Sequence, residues 1–301
     1  MTPAFDKIMC AVDFSGFSEE VLHAGKEMAR RFGSTLWVFH SVCFPRERFS
    51  DVFDEQKTKG EKESVQKAQR KIESLMKASE VPWKPLVMVG DPVENAAVAA
   101  RTEGIHMIMA ASYGMSGFKR LFLGTVVERL AGLQNTPLMV LRPRHRVEPE
   151  SRGHAFKLGR IAVCCFLEPP PATLVEYGVA LAKGWEADLI LVHSLEAPPV
   201  ENGMEPDLCS YEDAQEKMLN RVRTRLETLV PREQRQGIHV RFEVLLGVPG
   251  EQIQDFIEAS AVDLVIVGGP QHSPLGSFII GSTTQFLIRH APCAVLRVAS
   301  G

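Results

Sequence analysis

The sequence has no long apolar run. Stretches such as "HMIMAA" at 106–111 and "ADLILV" at 187–192 fall far short of the roughly 20 apolar residues that a membrane-crossing helix needs, so no membrane span is expected. A basic start followed by an apolar core, the mark of a signal peptide, is also missing. An excess of positive charge is missing too. The formal net charge is −3, and no nucleic-acid partner is expected. The six cysteines, at 10, 43, 164, 165, 209 and 293, show neither C-x-x-C nor paired metal-site spacing. Several lie in apolar strand-like runs, where a thiol behaves as a small buried hydrophobe. Together these absences point to a reducing, cytoplasmic compartment. The chain also lacks H-E-x-x-H and a G-x-S-x-G elbow, and no serine–histidine–acid set can be assigned. No catalytic residue and no metal site are therefore assigned.

What is present is a repeat. "KIMCAV" at 7–12 matches "RIAVCC" at 160–165, and "LWVFHSV" at 36–42 matches "LILVHSL" at 189–195. "LVMVGDP" at 86–92, "IHMIMAA" at 105–111 and "LFLGT" at 121–125 find partners in "EVLLGVP" at 243–249, "VDLVIVG" at 262–268 and "FIIGS" at 278–282. "TPLMVLR" at 136–142 matches "APCAVLR" at 291–297. The order is the same throughout, as two copies of one domain require. The 301 residues suffice for two domains, and 45% apolar with 24% charged residues is an ordinary globular mixture. We read domain 1 as 1–145, a polar linker at 146–157 within "RPRHRVEPESRGHAFK", and domain 2 as 158–301.

Each copy alternates short apolar runs with longer amphipathic ones. Val21, Ala24, Met28 and Phe32 recur at helical spacing, with Ser18 as the expected N-cap. Val65, Ala68, Ile72, Leu75 and Met76 mark a second helix, matched in copy two by Ala214, Met218, Val222, Leu226 and Leu229. Further helices are expected after Pro92 and Pro249, since proline suits a first turn. Alternating strands and helices predict an α/β fold with a mostly parallel sheet. Continuously apolar runs such as "MIMAA" and "LVIVGG" suit strands buried on both faces. Ligands of such sheets bind beyond the carboxyl ends of the strands, where the strand order reverses.

One loop raises a question of function. "ASYGMSGFKRLFLGT" at 111–125 follows the fourth apolar run of copy one. A helix is expected from about 118 or 124 to about 134. Gly114 and Gly117 would let backbone N–H groups turn toward one point, and a helix start near Gly124-Thr125 would add its unpaired N–H groups. This is neither a Walker A loop nor a G-x-G-x-x-G turn. Loops are rich in glycine for ordinary reasons, so a phosphate cradle and a structural turn both stand. Asp13 directly follows the first strand. A carboxylate there suits ribose hydroxyls or a divalent cation bridging phosphates, but "DFSGFS" is also turn-like. Lys119 and Arg120 could reach phosphates or solvate a helix face. Met115 and Phe118 could wall an apolar pocket or form a docking patch. His40 and His193 hold equivalent places, which suggests a shared hydrogen bond to backbone. Adjacent Cys164 and Cys165 point to opposite strand faces and read as buried thiols.

With these residues on the page, the chain resembles the universal stress protein family in its tandem form. The resemblance rests on the strand-one "AVD", the glycine loop, "LFLGTVVERL" before "NTPLMVLRP", and "FIIGSTTQFLIRHAPCAVLRV" in copy two. It implies two doubly wound five-stranded parallel sheets of the adenine nucleotide alpha hydrolase-like type, with strand order 3-2-1-4-5. It also implies pairing through the last strands, as a pseudo-dimer within the chain or as a homodimer. Exposed apolar sheet edges call for such cover, and one chain holds both edges at high effective concentration. ATP-binding members carry G-x2-G-x9-G-[S/T] and an aspartate after strand one. Here those positions fall on Ala111, Gly114, Gly124, Thr125 and Asp13, with the adenine placed near Ser41 and Val42. In copy two they fall on Gly268, Gln271, Gly281, Ser282 and Phe166, followed by three prolines at 169–171.

The expectation is therefore a stress-response protein that binds ATP or a related adenine nucleotide, with or without Mg, in a first-domain site formed by Asp13, Ser41, Val42, Ala111, Gly114, Gly117, Gly124 and Thr125. The second domain reads as degenerate, and any ATP hydrolysis as slow. The altered positions Ala111, Gln271 and Phe166 leave a second reading: a nucleotide-independent interaction scaffold, or a stress protein binding an apolar ligand. A true ATP hydrolase is the third.

Overall fold

The computed structural model describes residues 3–44, 54–112, 124–133, 136–142, 156–167, 171–196, 208–269 and 281–299. The chain divides into two compact units, Ala4–Phe156 and Lys157–Gly301.

In the first unit the strands are β1 (Lys7–Ala11), β2 (Thr35–Val42), β3 (Trp83–Val89), β4 (Met107–Ala111) and β5 (Leu138–Leu141). The helices between them are α1 (Phe17–Phe32), α2 (Asp54–Met76), α3 (Pro92–Thr102) and α4 (Thr125–Leu133). All strand pairs are parallel, in the order β3-β2-β1-β4-β5. The expected doubly wound sheet is present, and the order reverses between β1 and β4. The central strands are apolar along their whole length because helices cover both faces. Ile8, Met9 and Cys10 of β1 and Met107, Ile108 and Met109 of β4 are fully buried. β3 carries Pro85 and more exposed positions, as suits a strand with a single ladder.

The second unit repeats this plan. β6 (Arg160–Cys164), β7 (Asp188–Leu195), β8 (Val240–Leu246), β9 (Leu264–Gly268) and β10 (Ala294–Val298) run parallel in the order β8-β7-β6-β9-β10. Its helices are α5 (Ala172–Trp185), α6 (Leu208–Thr228), α7 (Pro249–Ala259) and α8 (Ser282–His290), with a short 3-10 turn at Arg232–Arg235.

Helices α3 and α7 begin at Pro92 and Pro249 as the sequence predicts. Two local expectations are corrected. Ser18 does not cap α1. The helix starts one residue before it, Gly16 holds the cap position, and the Ser18 hydroxyl donates backward to Asp13. Met218 has the spacing of a core residue in α6, yet it is exposed while Leu226 is fully buried. Leu229 lies just beyond the end of that helix.

In each copy the first helix lies close on the sheet at a glycine. A Cβ on Gly25 would collide with Cys10 Sγ, and one on Gly178 would lie 2.6 Å from Val163 Cγ2. Among the described residues no helix is long and apolar enough to cross a membrane.

Candidate functional site

A cavity of about 310 Å³ opens at the carboxyl ends of β1, β2 and β4, where the strand order reverses. That is the lower end of the usual range for small-molecule sites. Its lining includes Asp13, His40, Ser41, Ala111, Gly124 and Thr125. Five residues assigned from the sequence are thus brought together, although Asp13 and Thr125 lie more than a hundred positions apart. Val42 is not in the lining; its carbonyl accepts the Gly90 N–H at 3.0 Å. Gly114 and Gly117 lie outside the described residues, as do Met115, Phe118, Lys119, Arg120 and Gln271.

The turn that presents Asp13 is built by Asp13 itself. Its Oδ1 accepts the Ser15 N–H at 2.9 Å and the Ser18 hydroxyl at 3.1 Å. Phe14 then takes a left-handed backbone conformation, φ 62°, which is unfavourable for a side chain with a Cβ. Two contacts hold it there. The His40 ring lies 4.2 Å from the Phe14 ring, and Lys71 Nζ sits 4.5 Å from its centroid. Copy two fixes the matching residue differently: Arg225 Nη2 donates to the Leu167 carbonyl at 3.0 Å.

The paired histidines serve the shared role that their positions suggest. His40 Nδ1 donates to the Val12 carbonyl at 2.8 Å, and His193 Nδ1 donates to the Cys165 carbonyl at 2.7 Å. Each ties the end of its unit's second strand to the end of the first. Ser41 and Ser194 match in the same way. Their hydroxyls donate to the carbonyls of Gly90 (2.8 Å) and Gly247 (3.0 Å). These two glycines sit at φ 128° and 127°, where a side chain would be strained. Asn95 Nδ2 also donates to Ser41 Oγ at 2.9 Å.

The helix α4 begins at Thr125, close to the later of the two starts, about 118 or 124, that the loop pattern leaves open. The Gly124 N–H donates to the Ser112 carbonyl at 2.8 Å, and the Gly124 carbonyl accepts the Glu128 N–H at 3.0 Å. Gly124 therefore anchors the helix start. The first-turn N–H groups from Thr125 onward have no partner within a helix, the kind of helix start that favours an anion, and Gly124, Thr125, Val126 and Val127 line the cavity.

A second helix start borders the same cavity through Pro92 of α3. Asp91 caps it, accepting the N–H groups of Val93 (2.9 Å) and Glu94 (3.1 Å). Arg129 of α4 bridges to Asp91 through Nη1 (2.8 Å) and Nη2 (3.3 Å). Hydrogen bonding from the Arg129 guanidinium, with help from the Glu94 and Val93 N–H groups, holds the Asp91 carboxyl below the ordinary carboxylate range. Local motifs in the sequence gave no sign of this pair, because its partners are 38 residues apart.

The same places in copy two are apolar. Phe166 stands at the aspartate position, 49% exposed, and Val248 at the position of Asp91, 59% exposed. Phe286 replaces Arg129, and its ring lies directly over Gly250. Gly281 and Ser282 again start a helix, where Thr284 donates to the Gly268 carbonyl at 2.7 Å. Cys164 and Cys165 are buried, and burial pushes the Cys164 thiol up to about 12 and raises that of Cys165 as well. Neither is poised as a redox thiolate. Among the described residues no group of three or more His, Cys, Asp or Glu could hold a metal ion.

Comparison with known proteins agrees with the repeat. The description of the universal stress protein family matches residues 4–142 and again 158–299. The universal stress protein YxiE of Bacillus subtilis is 25% identical over 152 residues, covering 46% of this chain and 99% of its own. A universal stress protein from Archaeoglobus fulgidus superposes over 99% of this chain and 97% of its own, with a TM-score of 0.65 at 19% identity. A putative universal stress protein from Pseudomonas aeruginosa does so over 99% and 94%, with a TM-score of 0.61 at 14% identity. At these identities the two structures speak for the fold.

Proposed function

The chain belongs to the universal stress protein family, with two such domains in tandem, and from that premise we propose that it is a stress-response binding protein whose first domain holds an adenine nucleotide. The observation that carries the reading is the cavity at the order switch of the first sheet, lined by Asp13, Ala111, Gly124 and Thr125. The alanine that replaces a glycine of the nucleotide-binding pattern stands in that lining as a small side chain. Asp13 lies at the nucleoside end and the α4 start at the anion end. A nucleotide bound with Mg would bring the cation on its own phosphates, with Asp13 as the nearest assigned carboxylate. The second domain carries Phe166 and Val248 where the first has Asp13 and Asp91. An aromatic ring cannot accept ribose hydrogen bonds or balance a metal's charge, so we propose that this domain binds no nucleotide.

Calorimetric titration of the full chain with ATP and magnesium tests the reading. Saturable binding, abolished by Gly124→Val, is expected. No saturable heat up to millimolar ATP would remove the nucleotide from the account.

A second reading has its own support. Asp13 Oδ1 already serves its turn, the Gly124 N–H already serves Ser112, and most of the cavity lining is apolar. These features fit a scaffold without nucleotide, or a site for an apolar molecule. Native mass spectrometry of the purified chain separates the two, since a co-purified nucleotide would count against the scaffold.

A further inference from the structure

Resting on the nucleotide reading above, we propose that Arg129 recognises the phosphate chain of the ligand and that Asp91 holds its guanidinium in waiting beside the cavity, whose lining includes their chain neighbours Pro92 and Leu130 but neither residue of the pair.

The two copies act as each other's control. Features that both keep, such as the histidine and serine clamps at the strand ends, belong to the fold. The Asp91–Arg129 pair is not among them. Copy two builds the same strand order without it, joining α7 to α8 by laying the Phe286 ring over Gly250. The fold needs a contact between these helices but does not need its charge. Both charged partners are lost in the same copy that also lacks the Asp13 carboxylate. That joint loss assigns the pair to the site.

The geometry agrees. Arg129 lies one helical turn after Thr125, on the same face of α4, and helical side chains lean toward the N-terminus. Its guanidinium reaches Asp91 at the start of α3, next to Pro92 of the cavity lining. The two bonds to Asp91 use two of its five N–H donors, and the side chain is 48% exposed. A planar fork suits phosphate oxygens, and part of it remains in reach of them. Asp91, itself held by the Val93 and Glu94 N–H groups, fixes the fork but also competes with an incoming anion.

The test compares binding of adenosine and ATP by the full chain as wild type, Arg129→Met, Arg129→Lys and Asp91→Asn. Arg129→Met is expected to weaken ATP about tenfold, the scale of a lost charged hydrogen bond, while leaving adenosine within about twofold. Arg129→Lys should recover part of the loss. Asp91→Asn keeps a capping side chain and should tighten ATP several-fold. Inorganic tripolyphosphate should compete with ATP on the wild type and much less on Arg129→Met. An unchanged ratio of ATP to adenosine affinity in Arg129→Met overturns the inference while leaving the nucleotide reading in place. A wild type that binds neither ligand overturns both.

Discussion

Asp13 was the most ambiguous residue in the sequence, and the structure gives it a definite task. Its carboxylate builds the turn that leads into α1, through Ser15 and Ser18. The site reading adds a second task, to the ligand, and two substitutions separate them. Asparagine can still accept both bonds, so Asp13→Asn should change unfolding stability by less than about 0.5 kcal/mol yet weaken ATP. Asp13→Ala should weaken ATP and also cost about 1 kcal/mol, the scale of a lost cap. Urea unfolding beside calorimetry reads both; equal ATP affinity in Asp13→Asn and wild type would leave only the turn. At this scale the sequence was half legible. It placed Asp13 and Thr125 at one crevice, because apolar runs locate strand ends. It misassigned Ser18, because the real entry to α1 depends on the left-handed Phe14 and its contacts with His40 and Lys71. No local pattern encodes those contacts.

Elements were read more easily than residues. The continuous apolar character of β1, β4 and β9 and the prolines that open α3 and α7 were visible because each has a local cause. Close packing between elements was not visible. Gly25 and Gly178 pass as ordinary helix glycines until their neighbours Cys10 and Val163 are in place. Alanine at either site gains about 1 kcal/mol of helix propensity but must displace a buried side chain, at about 1–3 kcal/mol. Gly25→Ala and Gly178→Ala should therefore each lower stability in urea unfolding, and a stabilised variant would show that the sheet can yield there. The α3–α4 ion pair makes a pH prediction. Its folded state depresses the Asp91 carboxyl, so its stabilisation is present above the ordinary carboxylate range, near pH 4, and fades as the pH falls through the lowered folded value. For an exposed pair this contribution is small. Asp91→Asn should have a lower Tm than wild type at pH 7, and the gap should close toward pH 3. A gap that stays constant would mean that the charge contributes nothing.

At the scale of the whole molecule, the repeat was the strongest signal in the sequence. It divided the chain into two copies of one alternating strand–helix domain, while the strand order of each copy came from the family resemblance. The repeat also supplied the comparison on which the account turns: one scaffold carrying carboxylates beyond its strand ends and a guanidinium on α4 in the first copy, and aromatic and aliphatic side chains at the matching positions in the second. The central claim is that only the first copy binds nucleotide. Its most direct test is the stoichiometry of ATP–magnesium binding to the full chain by calorimetry, repeated on Gly124→Val and Gly281→Val. The account predicts one nucleotide per chain, lost in Gly124→Val and kept in Gly281→Val; two equal sites, or a single site that survives Gly124→Val, would contradict it.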